Sequence, residues 1–386
     1  MSKRKSKNTA ESKKTTAEGK KTTAEGKKST AEARKSIAQK LLKEMGEKVY
    51  SDVDQGTFPS FSFSSRSVRN IVYDKKLKQF VLGDATVKRS SSNIKHIRPF
   101  TQLLWLADFS KKLVDEKRTS TLRDVYYSAQ AFNVEFVDQA ESDELITDLE
   151  VLMTMAREGF NIYPEERSAI FGPMTIEHTV PGYEGKQLDL SAHPDGVMIG
   201  PALTTAEFVK TEAKMVLAIE KGGLFTRFIE EKVHERYKAL LINTAGQPPR
   251  STRYLLRRLN QELKLPVGIL TDSDPWGAHI AMVIKSGSAG SAHLRELTTP
   301  DAVWLGVWAS DIIRFKLPSD KLTDIDIKRL HELKQDPRYT DKMWHDELDT
   351  FLRIKKKSEQ EAFARYGLSY IVDTYLPQKL KLMKNA

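Results

Sequence analysis

Cysteine is absent from the 386 residues. That excludes disulfides, thiolate nucleophiles and Cys-built zinc sites, and leaves oxygen-based chemistry. Long apolar runs are missing too: nothing approaches the roughly 18 consecutive apolar residues of a membrane span, and the N-terminus has no secretory h-region. A soluble, cytoplasmic protein is therefore expected. There is no G-x-x-x-x-G-K-[ST] phosphate loop either. The nearest candidate, Gly26 with Lys27 and Lys28, has no strand before it, so any ATP must act on another polypeptide. His178, His193 and His279 have no ligand spacing among them, and "GSAGSAH" (287–293) reads as a flexible loop, not a dinucleotide fingerprint.

Charge is plentiful but localised. Of 62 Lys/Arg and 52 Asp/Glu, residues 1–44 hold fourteen and five, so this segment carries +9 of the net +10 and the body is nearly neutral. The same segment repeats every seven residues ("SKNTAES", "KKTTAEG", "KKTTAEG", "KKSTAEA"). Its only recurrent apolar residue is alanine, so no coiled-coil seam exists and residues 1–45 are expected to be a disordered tail. Such a tail suits a phosphate-neutralising arm or a solubilising extension. A mitochondrial presequence is disfavoured because each repeat carries a glutamate.

The remaining length suits two domains. Residues 46–98 form a connecting segment in which "SVRNIVYDKKLKQFVLG" alternates like a short hairpin. In "PFTQLLWLADFSKKLVDE", Phe100, Leu103, Leu104, Ala107, Lys111 and Val114 fall on one helical stripe, broken only by the lysine. Thr121 and Asp124 resemble a capping box that starts a second helix near Leu122. On that helix Leu122 and Tyr126 share one face, and Arg123 and Tyr127 share another about 100° round. Leu122 should take the core side, leaving Tyr127 outside beside a guanidinium. A third helix, "SDELITDLEVLMTMAREG", has Ser142 as its expected N-cap and Gly159 as its stop, and "RSAIFGPMTIEHTV" reads as a β-wing. This order is that of a winged-helix domain, here residues 99–180.

From 206 to 386, β-rich runs ("MVLAIE", "ALLINT", "PVGILTDSD", "AVWLGVW") alternate with helical patterns, which calls for a Rossmann-like parallel sheet flanked by helices and an α/β fold class (α+β overall). Ligands gather beyond the carboxyl ends of such strands. Glu220 closes the first run, and Asp272 and Asp274 close the third. Aspartates at i and i+2 leave a strand on the same side, and a neighbouring glutamate can complete an all-oxygen pocket for Mg²⁺. Arg250, Arg253, Arg257 and Arg258 share one predicted helix and suit a solvated basic face or DNA phosphate contacts. "LTDIDIKRLHELKQDP" and "DELDTFLRIKKKSEQEAFARYG" read as amphipathic helices that pack on the sheet.

The strings "AIEKGGLFTRF", "GQPPRSTRYLLRRL" and "TDSDPWGAHI" resemble the Toprim domain of the topoisomerase VI A-subunit family, and "LRDVYY" resembles its nucleophile motif. The meiotic double-strand-break transesterases share the pattern. The likeness covers about residues 65–386; "EKGG" departs from it mildly, since the family often has a bulkier or acidic residue after the lysine. It implies that Tyr127 is the nucleophile, with Arg123 its neighbouring assistant, and that Glu220, Asp272 and Asp274 hold Mg²⁺. It further implies double-stranded DNA as substrate, a 5′-phosphotyrosyl intermediate, and a homodimer in which Tyr127 of one protomer meets the acids of the other. A GHKL-type ATPase B subunit would complete an A2B2 assembly and use the ATP. The intact pattern and the lack of cysteine lean towards an archaeal, nucleoid-associated protein. A break-forming transesterase without ATP-driven resealing, and a non-catalytic winged-helix DNA-binding protein, are the alternatives.

Overall fold

The computed structural model describes residues 36–384. The heptapeptide repeats lie outside this range, but residues 36–45, expected to belong to the disordered tail, do not follow that expectation. They open a helix, α1 (36–54), whose Ala38, Leu42 and Met45 are buried. The physical reason is the change of composition at Ile37, where leucine and methionine begin to recur at helical spacing and give the segment something to bury.

The N-terminal half packs around one apolar cluster. Strand β1 (Ser60–Ser64) buries Phe61 and Phe63, and between β1 and its antiparallel partner lies the hairpin β2 (Ile71–Asp74) and β3 (Gln79–Leu82). That partner is β4 (Thr86–Ser90), followed by α2 (Ile94–Asp115). A two-residue strand, β5 (Ser120–Thr121), leads into α3 (Leu122–Ala131). Next comes α4 (Gln139–Met153), and β6 (Ile162–Tyr163) closes the unit by pairing in parallel with β5. Helix α4 starts four residues earlier than the expected Ser142 cap, because Asp138 accepts from the Glu141 amide; Ser142 is fully buried inside the helix, which ends at left-handed Thr154 rather than Gly159.

The expected wing is where the architecture departs most from the sequence pattern. β7 (Ala169–Phe171) does not pair with its neighbour β8 (Met174–Glu177). β8 instead lies between β9 (Gln187–Asp189) and a later strand, while β10 (Val197–Met198) pairs with β7. After a short helix, α5 (Pro201–Thr204), comes β11 (Glu207–Thr211), the other neighbour of β8. Gly172 at φ +140 separates β7 from β8, and a Cβ there would lie 2.8 Å from the Ala239 carbonyl oxygen. Only glycine lets the chain turn away this close to a neighbouring strand.

The C-terminal half runs β12 (Met215–Ile219), α6 (Gly222–Glu230), α7 (Val233–Arg236), β13 (Ala239–Asn243), α8 (Arg250–Glu262), β14 (Val267–Leu270), α9 (Pro275–Ser286), β15 (Val303–Gly306) and α10 (Ala309–Arg314). The sheet order is β10-β7-β13-β12-β14-β15, with β13, β12, β14 and β15 mutually parallel as the alternating pattern predicts and β7 added antiparallel at β13. Strict alternation along β12 divides the core: Val216 and Ala218 face α8 and α9, whereas Leu217 and Ile219 face α6. Two further helices, α11 (Asp324–Gln335) and α12 (Lys342–Ile354), bury Leu330, Trp344 and Phe351 on the first of these faces. The helix expected to continue to Gly367 breaks at left-handed Lys355, since Lys356–Lys357 pair with Asp320–Lys321.

The two halves are joined by a buried ion cluster. Glu150 of α4 is fully buried and is bonded by Arg157 of its own half, by both terminal nitrogens of Arg250 on α8 (2.6 and 3.1 Å), and by His293 Nε2 (3.1 Å). Two expectations are corrected here. Arg250, Arg253 and Arg258 are largely buried and do not form a solvated or phosphate-facing surface. "GSAGSAH" is no flexible loop, because a 3₁₀ turn at Ala289–Ser291 presents the buried His293 side chain to Glu150.

Burial opposes ionisation of Glu150, but the His293 hydrogen bond and the Arg250 and Arg157 charges outweigh it and hold the carboxyl well below its ordinary 4.5. Glu150→Ala strands two buried guanidinium groups, so it should cost about 3–5 kcal/mol in denaturant unfolding. Because the folded-state value is depressed, the unfolded chain binds more protons at acid pH. The advantage of wild type over Glu150→Gln should therefore be full above the ordinary value and shrink as pH falls below it, as checked by melts along a pH series.

Candidate active site

Helix α3 is built as its sequence dictates. Thr121 Oγ1 accepts from the Asp124 amide at 3.1 Å, and Asp124 returns the bond to the Thr121 amide at 3.0 Å, forming a reciprocal capping box. The buried line of the helix is Val125 and Ala129, both with no exposed surface, while Leu122 and Tyr126 flank it half-buried. Tyr126 meets Tyr127 edge to face at 5.3 Å. Tyr127 points outward with 53% of its surface exposed. The Arg123 guanidinium carbon lies 5.9 Å from the Tyr127 ring centre, and the nearness of the phenol is the main cause that holds this arginine more firmly protonated. One exposed phenol thus carries a fixed positive charge one turn away.

The acids lie at the carboxyl edge of the parallel sheet. Glu220 follows β12, and its Oε2 accepts the Asp272 amide at 2.8 Å. Asp272 follows β14; its Oδ1 accepts the Gln360 amide at 3.0 Å and its Oδ2 lies 3.2 Å from Lys221 Nζ. Asp274 caps α9 by accepting the Gly277 amide at 2.6 Å. Gly277 is required there, since a Cβ would fall 2.1 Å from the Asp272 carbonyl oxygen. Ser273 is clamped between the acids by paired backbone bonds with Ser358.

Electrostatics set this pocket apart. Burial first, then the neighbouring Asp272 charge, push the Glu220 carboxyl up to about 7. Burial pushes Asp272 up to about 6 against the pull of the Gln360 amide and Lys221. Asp274 is raised as well, by burial and by Asp326, although its amide bonds oppose this. The donor set is all carboxylate and crowded with like charge, which suits a hard divalent cation. Among the described residues no three acids converge at metal-holding distance, because Glu220 is turned to a backbone amide and Asp274 to its helix cap. The pocket therefore fits such a cation by chemistry, with these side chains having to turn inward to hold it.

Several groups around the acids carried no sequence signal. Gln360 bonds Asp272 from 88 positions away, and Lys357 reaches the Asp326 carboxylate at 2.8 Å beside Asp274. Lys221 was visible as the residue after Glu220, but not its contact. Tyr127 meets Arg123 and Tyr126 of its own helix, while the three acids meet partners that lie between residues 220 and 360. A cavity of about 470 Å³ between the halves is lined by neither Tyr127 nor any of the three acids, so concavity alone does not locate the chemistry.

Comparison with known proteins follows the same division. A family model for the Toprim domain shared by Spo11 and the topoisomerase 6 A-subunit matches residues 215–380, and one described as "Type IIB DNA topoisomerase" matches 98–162. The chain is 44% identical over 348 residues to the A-subunit of type 2 DNA topoisomerase 6 from Methanothermobacter thermautotrophicus, covering 89% of this chain and 97% of that protein. It is 39% identical to the protein of the same name from Archaeoglobus fulgidus, covering 86% and 94%. The corresponding Methanosarcina mazei protein is 38% identical, covering 90% and 95%.

An acid whose folded-state value is raised binds its proton more tightly in the native state, so its contribution to stability falls as pH climbs from the ordinary value to the raised one. In chelator, Glu220→Gln should raise the melting temperature at about pH 8, where the native carboxylate is charged and crowded. It should change little at about pH 5, where the native carboxyl is already protonated.

Proposed function

Because the chain belongs to the topoisomerase 6 A-subunit/Spo11 family, we infer that it is the DNA-cleaving A-subunit of a type IIB DNA topoisomerase. The observation that carries this reading is the pairing, within one chain, of an exposed tyrosine fixed beside an arginine and a crowded carboxylate pocket at a Toprim-type sheet edge.

In this reading Tyr127 is the nucleophile. Its Oη attacks a DNA phosphorus; an O–P bond forms to the 5′ end, the P–O3′ bond breaks, the phenolic proton is lost and the departing 3′ oxygen is protonated. The number of phosphoester bonds is conserved, so reversal reseals the strand. A free phenol has a pKa near 10 and is a poor nucleophile at neutral pH. Arg123, whose guanidinium carbon lies 5.9 Å from the Tyr127 ring centre, is the positive group beside the attacking oxygen and the one suited to hold the scissile phosphate. Glu220, Asp272 and Asp274 are the residues that would hold Mg²⁺, which when bound neutralises charge on phosphate oxygens. Lys221 and the Gln360 amide position Asp272, and Gly277 lets the Asp274 turn close on the Asp272 backbone.

Since Tyr127 and the acids each make their contacts within their own half, we assign the complete site to a homodimer in which the tyrosine of one protomer serves the acids of its partner. Each protomer cuts one strand. ATP-driven strand passage then belongs to a B subunit in an A2B2 assembly. The winged-helix unit is taken to end near Tyr163, with β7 assigned to the Toprim sheet. The same name on relatives that match nearly end to end favours the topoisomerase over a break-forming transesterase.

The test is to incubate the protein with its B partner, supercoiled DNA, Mg²⁺ and a nucleotide, then digest and search for a nucleotide-adducted peptide by mass spectrometry. Adduct should appear on the peptide containing Tyr127, vanish in Tyr127→Phe and persist in Tyr126→Phe. Arg123→Ala should lower the cleavage rate by roughly 10²-fold, the loss typical of removing one positioned charge. Adduct on another tyrosine would overturn the assignment, and cleavage without ATP-dependent relaxation would favour the transesterase.

A further inference from the structure

Resting on the reading of Glu220, Asp272 and Asp274 as cation-holding acids, we propose that Lys221 is the counter-cation of this pocket in its metal-free state, exchanged for the divalent ion on loading and then turned to a DNA phosphate.

Three observations carry the exchange. Lys221 Nζ lies 3.2 Å from Oδ2 of Asp272, a carboxylate that is only 7% exposed and whose other oxygen is already bonded by the Gln360 amide. The ammonium therefore supplies the positive side chain that this buried oxygen pair touches. Its second partner, Glu359, stands 3.4 Å away at the rim and is 68% exposed, so that pair is weak and readily broken. Lys221 is also the residue from which α6 springs, in extended backbone conformation and with no capping bond from its side chain. Its backbone is fixed beside Glu220 while a flexible four-carbon stem leaves the ammonium free to swing.

The acids fit this state. Glu220 is turned to the Asp272 amide and Asp274 to the Gly277 amide, an arrangement in which one lysine offsets Asp272 and the other two carboxylates take backbone donors. A divalent ion drawing Glu220 and Asp272 inward would stand within a few ångströms of the ammonium. Like charges at that separation repel strongly in a partly buried site, so the lysine and the ion cannot both occupy Asp272 Oδ2. Displaced to the mouth, a lysine acts as a point charge suited to the phosphate backbone. Lys221 is thus a positioning residue that keeps the empty pocket assembled and joins the DNA contacts once the pocket is filled.

The test uses the full-length chain with Mn²⁺ as the probe, free ion being read by electron paramagnetic resonance, in wild type, Lys221→Met, Lys221→Arg and Asp272→Asn. Mn²⁺ should bind wild type, be lost in Asp272→Asn, bind roughly two- to fivefold more tightly in Lys221→Met, which lacks the competitor, and bind Lys221→Arg much as wild type. In chelator Lys221→Met should melt at a lower temperature than wild type. The slope of log affinity for duplex DNA against log salt should become shallower by about one in Lys221→Met with the divalent ion present, and stay unchanged in chelator. Equal or weaker Mn²⁺ binding in Lys221→Met would overturn the exchange, and a salt slope unchanged in both conditions would overturn the turn to phosphate. Mn²⁺ binding that survives in Asp272→Asn would instead overturn the acid-site reading beneath it. Poor folding of Lys221→Met leaves Lys221→Arg to decide, because Mn²⁺ affinity in that variant far from wild type would contradict a simple charge competitor.

Discussion

The arrangement of this chain depends on one buried carboxylate. Glu150 sits in the half that carries Tyr127, and two of its three partners, Arg250 and His293, come from the half that carries the acids. A fully buried charge is tolerated only when it is compensated on all sides, and here the compensation itself spans the junction. Apolar packing would hold two surfaces together without fixing their angle as tightly. A bidentate guanidinium pair does fix it, because both N–H groups must meet both oxygens. The hairpin between β1 and β4 adds a second tie, with Thr298 bonded to Gln79 at 2.7 Å and the Arg338 guanidinium over the Phe80 ring at 5.0 Å.

Across that junction the molecule keeps two opposed electrostatic environments apart. At Tyr127 an exposed phenol is given a positive neighbour. At the sheet edge three carboxylates are crowded, two of them pushed up to about 7 and about 6, and a lysine partly relieves them. Neither environment is stable against the other's demands: a phenolate beside the acids would be repelled, and an arginine in the pocket would compete with any cation. Holding them in separate halves of the chain satisfies both.

Much of this was legible from local pattern. The period-two and period-3.6 runs gave the parallel strands because each is buried on both faces and flanked by amphipathic helices, and the Thr121–Asp124 box placed α3 to the residue. Tyr127 was singled out by helix geometry, although the buried line proved to run through Val125 and Ala129, with Leu122 and Tyr126 at its margins. Long-range polar pairing was not legible. The arginines of α8 look like a solvated face until Glu150, a hundred positions earlier, is brought opposite them, and nothing in a glycine-serine string announces that His293 will be buried. The wing failed for a related reason: Ala169–Phe171 and Met174–Glu177 have strand propensity, but propensity does not name a partner, and a vacant edge on β13 won over the local hairpin.

That borrowed strand constrains how the molecule can move. β7 follows β6 after only residues 164–168, so the short connector enters the Toprim sheet almost as soon as it leaves the tyrosine half. Together with the Glu150 bolt this leaves little slack for one half to swing against the other. Any motion that carried Tyr127 away from the acids of its own chain would first have to break the Glu150 pairs or strip β7 from β13.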